Sequence, residues 1–276
     1  MSSMLSAHAD ALRTRGFTVI PDVWSPAQIA ASRAALDDVF RREAAVAAER
    51  GWRNDRYHVS YMLAAKHPQF VTAFQHDTLL ALMRTMLGAR CQLSSLNGFA
   101  MVPGGRAQAL HIDQRESAGD TVLGLNTVHP LDDFTCANGA TRLVPGSHRR
   151  PWTGQADDID AAETDAIQIE ATAGSVIVYN AAVWHAGSRN ATTQPRRSLH
   201  AFFVREWVRP DWDFPRSLPA HVAATLTPDQ RQLLGFDAGP SRYDLAAQRE
   251  VVGHAATPPP RWRRWFTAAP PREPRA

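Results

Sequence analysis

The residues that could do chemistry are His111 and Asp113, two positions apart, and His185 further along the chain. On a β-strand, residues i and i+2 face the same side. A strand through His111-Ile112-Asp113 would therefore present one imidazole and one carboxylate together. Alone this is a weak signal, because the chain holds 11 His and 27 acidic residues. His185 strengthens it by adding a second imidazole just after the apolar run Ser175–Tyr179. Two His and one carboxylate form the ligand set of non-haem iron(II) oxygenases and leave about three positions for a co-substrate and O2. Zinc more often takes three protein ligands and a water. The plain alternatives are a strand histidine beside a surface aspartate, and a core histidine packed next to Trp184.

A cation accompanies this set. In Asn190-Ala-Thr-Thr-Gln-Pro195-Arg196-Arg197-Ser198, Asn and Pro imply a turn, and the arginines open the next strand. A guanidinium there can grip a carboxylate through two parallel hydrogen bonds. The far end of 2-oxoglutarate needs such an anchor while its 2-oxo acid end chelates a metal. Arg196 and Arg197 face opposite sides of a strand, so only one can turn inward, and the spacing favours Arg196. His200 shares the phase of Arg196 and faces either the pocket or the core.

The elements that must position these groups change character along the chain. Ser25-Pro26 caps a helix whose apolar residues Ile29, Leu36, Val39, Phe40 and Val46 recur near a 3.6 period until Gly51. Asp77 is expected to cap a second helix that Gly88 stops. From residue 91 short strands are expected at Leu93–Val102, Ala107–Asp113, Thr121–His129, Thr141–Val144, Ala166–Glu170, Ser175–Tyr179 and Arg197–Val208. That many strands at such spacing imply a sandwich, jelly roll or barrel. Gln155–Asp165 reads as a polar surface insertion. Thr227-Pro228 opens a short helix that runs to Leu234, and residues 258–276 read as a loosely held extension rich in Pro and Arg. Trp184, Phe202, Trp207, Trp212 and Phe214 read mainly as core, whereas Tyr61, Met62, Asn97 and Phe99 are candidates to line a substrate pocket.

With these motifs in view, the chain resembles the phytanoyl-CoA dioxygenase (PhyH-like) group of Fe(II)/2-oxoglutarate oxygenases. The matching segments are Gly16-Phe17, Gln108-Ala-Leu-His111-Ile-Asp113, Asn138-Gly-Ala-Thr-Arg-Leu-Val-Pro-Gly-Ser-His148, and Trp184-His185 through Arg196. The resemblance spans most of residues 10–210, and its Gln-x-Leu-His-x-Asp and Asn-Gly-Ala-Thr forms are most similar to enzymes that tailor small natural products. It implies a mainly β fold, a double-stranded β-helix (jelly roll, cupin-like) with flanking helices. It also implies iron on His111, Asp113 and His185, a salt bridge from Arg196 to 2-oxoglutarate, and co-substrate contacts from Gln108 and Thr141. Gln108 is out of phase with His111 and Asp113 on a regular strand, so that role requires a bulge or loop. Thr141 has core filling as its alternative. The implied reaction uses Fe(II), 2-oxoglutarate and O2 to oxidise, by default to hydroxylate, an unactivated C–H of a small metabolite, giving succinate and CO2. Desaturation, epoxidation or ring formation would draw on the same oxidant. Related halogenases replace the carboxylate ligand with Ala or Gly, and Asp113 argues against that outcome.

Composition bounds the rest. An apolar fraction of 44% and a charged fraction of 21% over 276 residues describe an ordinary globular chain. It reads as one domain over 1–276 with a core near 10–250. Two cysteines, Cys91 and Cys136, are too few for a disulfide framework and are read as reduced core thiols. The N-terminal region lacks a secretory apolar block, and no apolar run is long enough to span a bilayer, so a cytoplasmic protein without a membrane partner is expected. The net charge is +3, and all basic residues but Lys66 are arginine. This balance argues against nucleic acid as partner. The expected substrate is small and hydrophobic or polycyclic, and a homodimer is compatible with the sequence. The rival readings are a vestigial metal-binding jelly roll, a cupin-like metalloenzyme that does not use 2-oxoglutarate, and a nucleic-acid demethylase.

Overall fold

The computed structural model describes residues 3–114 and 121–237. The extension at 258–276 and the last part of the expected 10–250 core lie outside the described residues. Met1–Phe236 belong to one compact unit, the one described below.

In chain order the regular elements are α1 Ser3–Thr14, β1 Phe17–Ile20, α2 Pro26–Arg42, α3 Ala44–Glu49, β2 Tyr57–Ser60, α4 Asp77–Leu87, β3 Gln92–Met101, β4 Gly124–Pro130, β5 Thr141–Leu143, α5 Ala156–Glu163, β6 Ile167–Gln168, β7 Val176–Asn180, β8 His185–Gly187, β9 Arg196–Val204, α6 Phe214–Ser217, α7 Ala220–Ala223 and α8 Pro228–Leu233. Six strands form one sheet in the order β1-β7-β4-β9-β3-β2, and three form a second in the order β6-β5-β8. Every pairing is antiparallel. Together the sheets make the expected double-stranded β-helix with flanking helices.

Local chemistry sets the helix starts. Ser25 accepts from the Gln28 amide, and the Gln28 side chain accepts from the Ser25 amide, a reciprocal cap with Pro26 at the first helical position. Thr227 and Gln230 repeat this arrangement at α8. The helix expected up to Gly51 breaks at Glu43. That residue turns its carboxylate toward Ser60 Oγ (2.6 Å) and the Lys66 ammonium (2.5 Å). His76, not Asp77, precedes α4; Asp77 lies in the first turn, where its charge complements the helix dipole. Within the polar stretch Gln155–Asp165 the chain forms α5.

The large sheet has two unlike faces. Leu96, Gly98 and Ala100 of β3 and Leu199, Ala201 and Phe203 of β9 alternate with residues that face the other sheet. The first set packs with Leu36 of α2 and with Leu79, Leu82 and Met83 of α4. A Cβ on Gly98 would come within 2.3 Å of Leu36 Cδ1, so this close helix–strand approach requires glycine. Between the sheets, Phe17, Val128, Phe134, Leu143 and Ile177 form a separate buried cluster. Beside it lies a cavity of about 300 Å³. Cys91 is buried but Cys136 is exposed, which corrects the reading of both as core thiols. Trp207 is likewise exposed rather than core. No described helix is long and apolar enough to cross a membrane.

Candidate active site

β8 is the hub of the cavity. On one side it pairs with β5, setting Thr141 opposite Gly187 and Leu143 opposite His185. On its other side the expected strand 107–113 shrinks to a single bridge, in which His111 and His185 exchange both backbone hydrogen bonds at 3.0 and 2.9 Å. The reason is an extra residue. The Gln108 amide, where regular pairing would place residue 109, donates to the Gly187 carbonyl at 2.9 Å. The segment around Gln108 is therefore irregular backbone and not a continuous strand. Asp113 then arrives through a bend, its amide donating to the Ala181 carbonyl at 3.0 Å, and not by strand alternation.

The two imidazoles are held alike. His111 Nδ1 donates to the Ala109 carbonyl at 3.0 Å, and His185 Nδ1 donates to the Val183 carbonyl at 2.9 Å. A carbonyl only accepts, so Nδ1 carries a proton in both rings and Nε2 is the atom each ring turns toward Asp113. His185 Nε2 lies 3.4 Å from Asp113 Oδ2, and His111 Nε2 lies 4.0 Å from Asp113 Oδ1. One donor atom from each of the three side chains falls within 4.8 Å of the others. Asn126 of β4 donates through Nδ2 to Asp113 Oδ2 at 2.8 Å. Burial alone would raise the Asp113 pKa, but the facing imidazoles of His185 and His111 outweigh it and hold the group at about 2. Burial opposes charge on His185 as well, yet the Asp113 carboxylate prevails and raises its pKa. His111 is lowered, first by burial and then by His185.

Arg196 and Arg197 separate as strand alternation requires. Arg197 points toward the helices and meets Asp37 at 2.6 Å and Asp132 at 3.3 Å. Arg196 is 3% exposed and lines the cavity, with its guanidinium 3.8 Å from the centroid of the Phe134 ring. Its Nε and Nη1 have no partner among the described residues. Burial lowers its pKa to about 9, against a weaker opposing pull from Asp132. A buried, unpaired guanidinium is costly unless a ligand anion completes it.

Gln108 and Thr141 both border this cavity. The Gln108 Oε1 accepts from the Gly187 amide at 2.8 Å, and a Cβ on Gly187 would crowd that oxygen at 2.9 Å. Arg142 braces the arrangement, donating to both Glu163 oxygens and to the Gly187 and Gln108 carbonyls. His200 lines the cavity too, with Nε2 3.0 Å from Ser198 Oγ; burial, then Arg196, lowers its pKa to about 3. Asn97 and Phe99 are lining residues as expected, but Tyr61 and Met62 are not. Tyr61 packs on Trp212, and the Met62 amide donates to Asn97 Oδ1. Sequence reasoning missed Ser95, Met101, Tyr179, Asp211 and Asn126. Of these only Asn126 carried a signal, as an isolated amide within an apolar strand. The Val-Pro-Gly-Ser-His turn is structural. Ser147 Oγ accepts from the Trp184 amide at 2.9 Å, and His148 donates to the Arg13 carbonyl at 3.2 Å. Asn190, in the turn before Arg196, is fully buried, its Nδ2 donating to the Met101 and Gln194 carbonyls.

Comparison with known proteins decides the family. The phytanoyl-CoA dioxygenase (PhyH) family description matches residues 12–198. The chain belongs to that family. As a PhyH protein it is a non-haem iron enzyme whose metal, co-substrate and oxidant are Fe(II), 2-oxoglutarate and O2. Among its relatives, the uncharacterized protein Rv1501 of Mycobacterium tuberculosis is 28% identical over 82% of this chain and 85% of its own length. Dioxygenase af480 of Aspergillus fumigatus is 31% identical over 58% of this chain and 53% of its own length. Among solved structures, the epimerase SnoN in complex with Fe3+, alpha ketoglutarate and nogalamycin RO superposes with a TM-score of 0.62. It covers 80% of this PhyH chain and 92% of its own at 20% identity, a likeness of fold.

Proposed function

We propose that this PhyH enzyme holds iron through His111, Asp113 and His185, anchors 2-oxoglutarate on Arg196, and oxidises an unactivated C–H of a small-molecule metabolite, by default to an alcohol. The observation that carries this reading is the coexistence, in one cavity, of three converging donor atoms and a buried guanidinium with free N–H groups. The donor set fits a ferrous ion, since both imidazoles present Nε2 and the carboxylate stays ionised. Bound iron, with 2-oxoglutarate and O2, supplies the oxidant while the co-substrate becomes succinate and CO2. The chain's own work is to hold and orient. Gln108 and Thr141 steady the co-substrate beside Arg196, and Asn126 fixes the Asp113 carboxylate. The sheet walls limit access of water. Desaturation, epoxidation or ring formation need only a different placement of the same substrate. The free thiols of Cys91 and Cys136 accord with work in the cytoplasm.

Anaerobic addition of Fe(II) and 2-oxoglutarate tests the assignment through the weak visible charge-transfer band of the complex. His111→Ala or Asp113→Ala should abolish the band. Arg196→Leu should leave metal content near wild type and weaken 2-oxoglutarate binding about 100-fold, the cost of roughly two charge-assisted hydrogen bonds. Lost metal with unchanged co-substrate affinity in that variant would refute the role of Arg196.

A further inference from the structure

The cavity floor is ordered along two paired strands. Met101 lies opposite Arg196, Asn97 opposite His200, and Ser95 opposite Phe202. From Arg196 to Phe202 the strand advances about 20 Å at roughly 3.3 Å per residue. Asn126 pairs with Phe202 and holds Asp113, so the metal donors stand nearer the Phe202 end. Toward the Phe202 end the lining includes Ser95, Asn97 and Phe202, with Phe99 between them and Arg196, and Asp211 also borders the cavity.

That wall has a definite polarity. Asn97 Oδ1 accepts from the Met62 amide at 3.2 Å and from Trp212 Nε1 at 3.1 Å. This fixes the orientation of the side-chain amide and leaves its NH2 free to donate into the cavity. Where the β3–β9 register shifts between Leu93 and Ser95, Asp211 is tied to Ser94, its amide donating to Ser94 Oγ at 2.8 Å and the Trp212 amide donating to the Ser94 carbonyl at 3.0 Å. Its exposed carboxylate makes no hydrogen bond or ion pair among the described residues. Phe99, whose ring packs against His200 with centroids 4.4 Å apart, and Phe202 add apolar carbon to the lining.

We infer that the substrate is a ring compound bearing adjacent hydroxyl or amino groups, whose donor meets Asp211 and whose acceptor meets Asn97, with the ring against Phe99 and Phe202. An anionic acyl chain or phosphorylated carrier would face the Asp211 carboxylate and is selected against. This rests on the iron and 2-oxoglutarate reading above and names the substrate class for that site.

The test uses the anaerobic iron and 2-oxoglutarate complex with three probes, trans-2-aminocyclohexanol, cyclohexanol and cyclohexanecarboxylate, followed by ligand-observed NMR at millimolar concentrations. The amino alcohol should bind most tightly and the carboxylate most weakly. Asp211→Asn should weaken the amino alcohol by about tenfold or more, as expected for loss of one charge-assisted hydrogen bond, and should leave cyclohexanol within twofold or so. The visible band in the same samples reports the underlying site. With the band present, the inference alone is overturned if the amino alcohol does not bind, if the carboxylate binds equally well, or if Asp211→Asn leaves the order unchanged. A missing band overturns both readings.

Discussion

At the scale of single residues, the metal donors differ in how firmly the backbone holds them. His111 and His185 are locked by their mutual bridge and by Nδ1 bonds to carbonyls two residues back. Asp113 sits in a bend, and its carboxylate is oriented by one side-chain donor, Asn126. Asn126→Leu keeps the size and loses the donor. Its Co(II) affinity, measured by calorimetry, should fall about 10–100-fold, the usual cost of removing a group that orients a metal ligand, with a changed Co(II) visible spectrum. Unchanged affinity and spectrum would show that the bend alone orients Asp113. The ligand types were legible in the sequence because so few side chains bind metal. Asn126 was not, because its reach to Asp113 depends on which strands become neighbours. The inward turn of Arg196 was legible from strand alternation, but only the Asp37 and Asp132 partners of Arg197 explain the phase.

At the scale of elements, the irregular segment carrying Gln108 and His111 has little regular pairing and depends on Arg142. This residue joins three things that the sequence left separate: α5 through Glu163, the segment through the Gln108 carbonyl, and β8 through the Gly187 carbonyl. Arg142→Met retains most of the aliphatic packing but orphans a carboxylate and two carbonyls. Breaking a well-buried pair costs about 3–5 kcal/mol. The Glu163 side chain is 36% exposed and can recover water, so a loss of about 2–3 kcal/mol is expected in urea unfolding. Co-substrate affinity should weaken with it, since Gln108 loses its tether, whereas Glu163→Gln should cost less on both counts. The tie between the polar stretch 155–165 and the site left no trace in the sequence because Arg142 and Glu163 are far apart along the chain. For the same reason β2 and β8, only a few residues long, left no periodic trace, while the capped helices α2 and α8 were plain from local chemistry.

At the scale of the whole molecule, a jelly roll that encloses a polar cavity must bury ionisable groups, and their balance sets how stability varies with pH. Burial lowers His129 to about 3, with Nε2 held 2.9 Å from Thr127 Oγ1; His200 stands near the same value. An unfolded histidine takes its proton near 6.5. Below that pH the unfolded chain binds protons that the folded chain refuses, so stability is complete above about 6.5 and is lost as pH falls toward 3. His185 runs the other way. Its raised pKa adds stability below 6.5 that is lost as pH rises through the raised value. Asp113, held at about 2, adds stability above its ordinary pKa that is lost only under more acid conditions. Between pH 4 and 6 the lowered histidines dominate, each contributing a slope of about 1.4 kcal/mol per pH unit. His129→Phe removes one of them while Thr127 keeps its bond to the Ala201 carbonyl at 3.1 Å. The unfolding free energy of the chelator-treated protein, from urea titrations, should therefore fall less steeply with acid in this variant, by about 1.4 kcal/mol per pH unit. An unchanged slope would mean that His129 already carries its proton in the folded state.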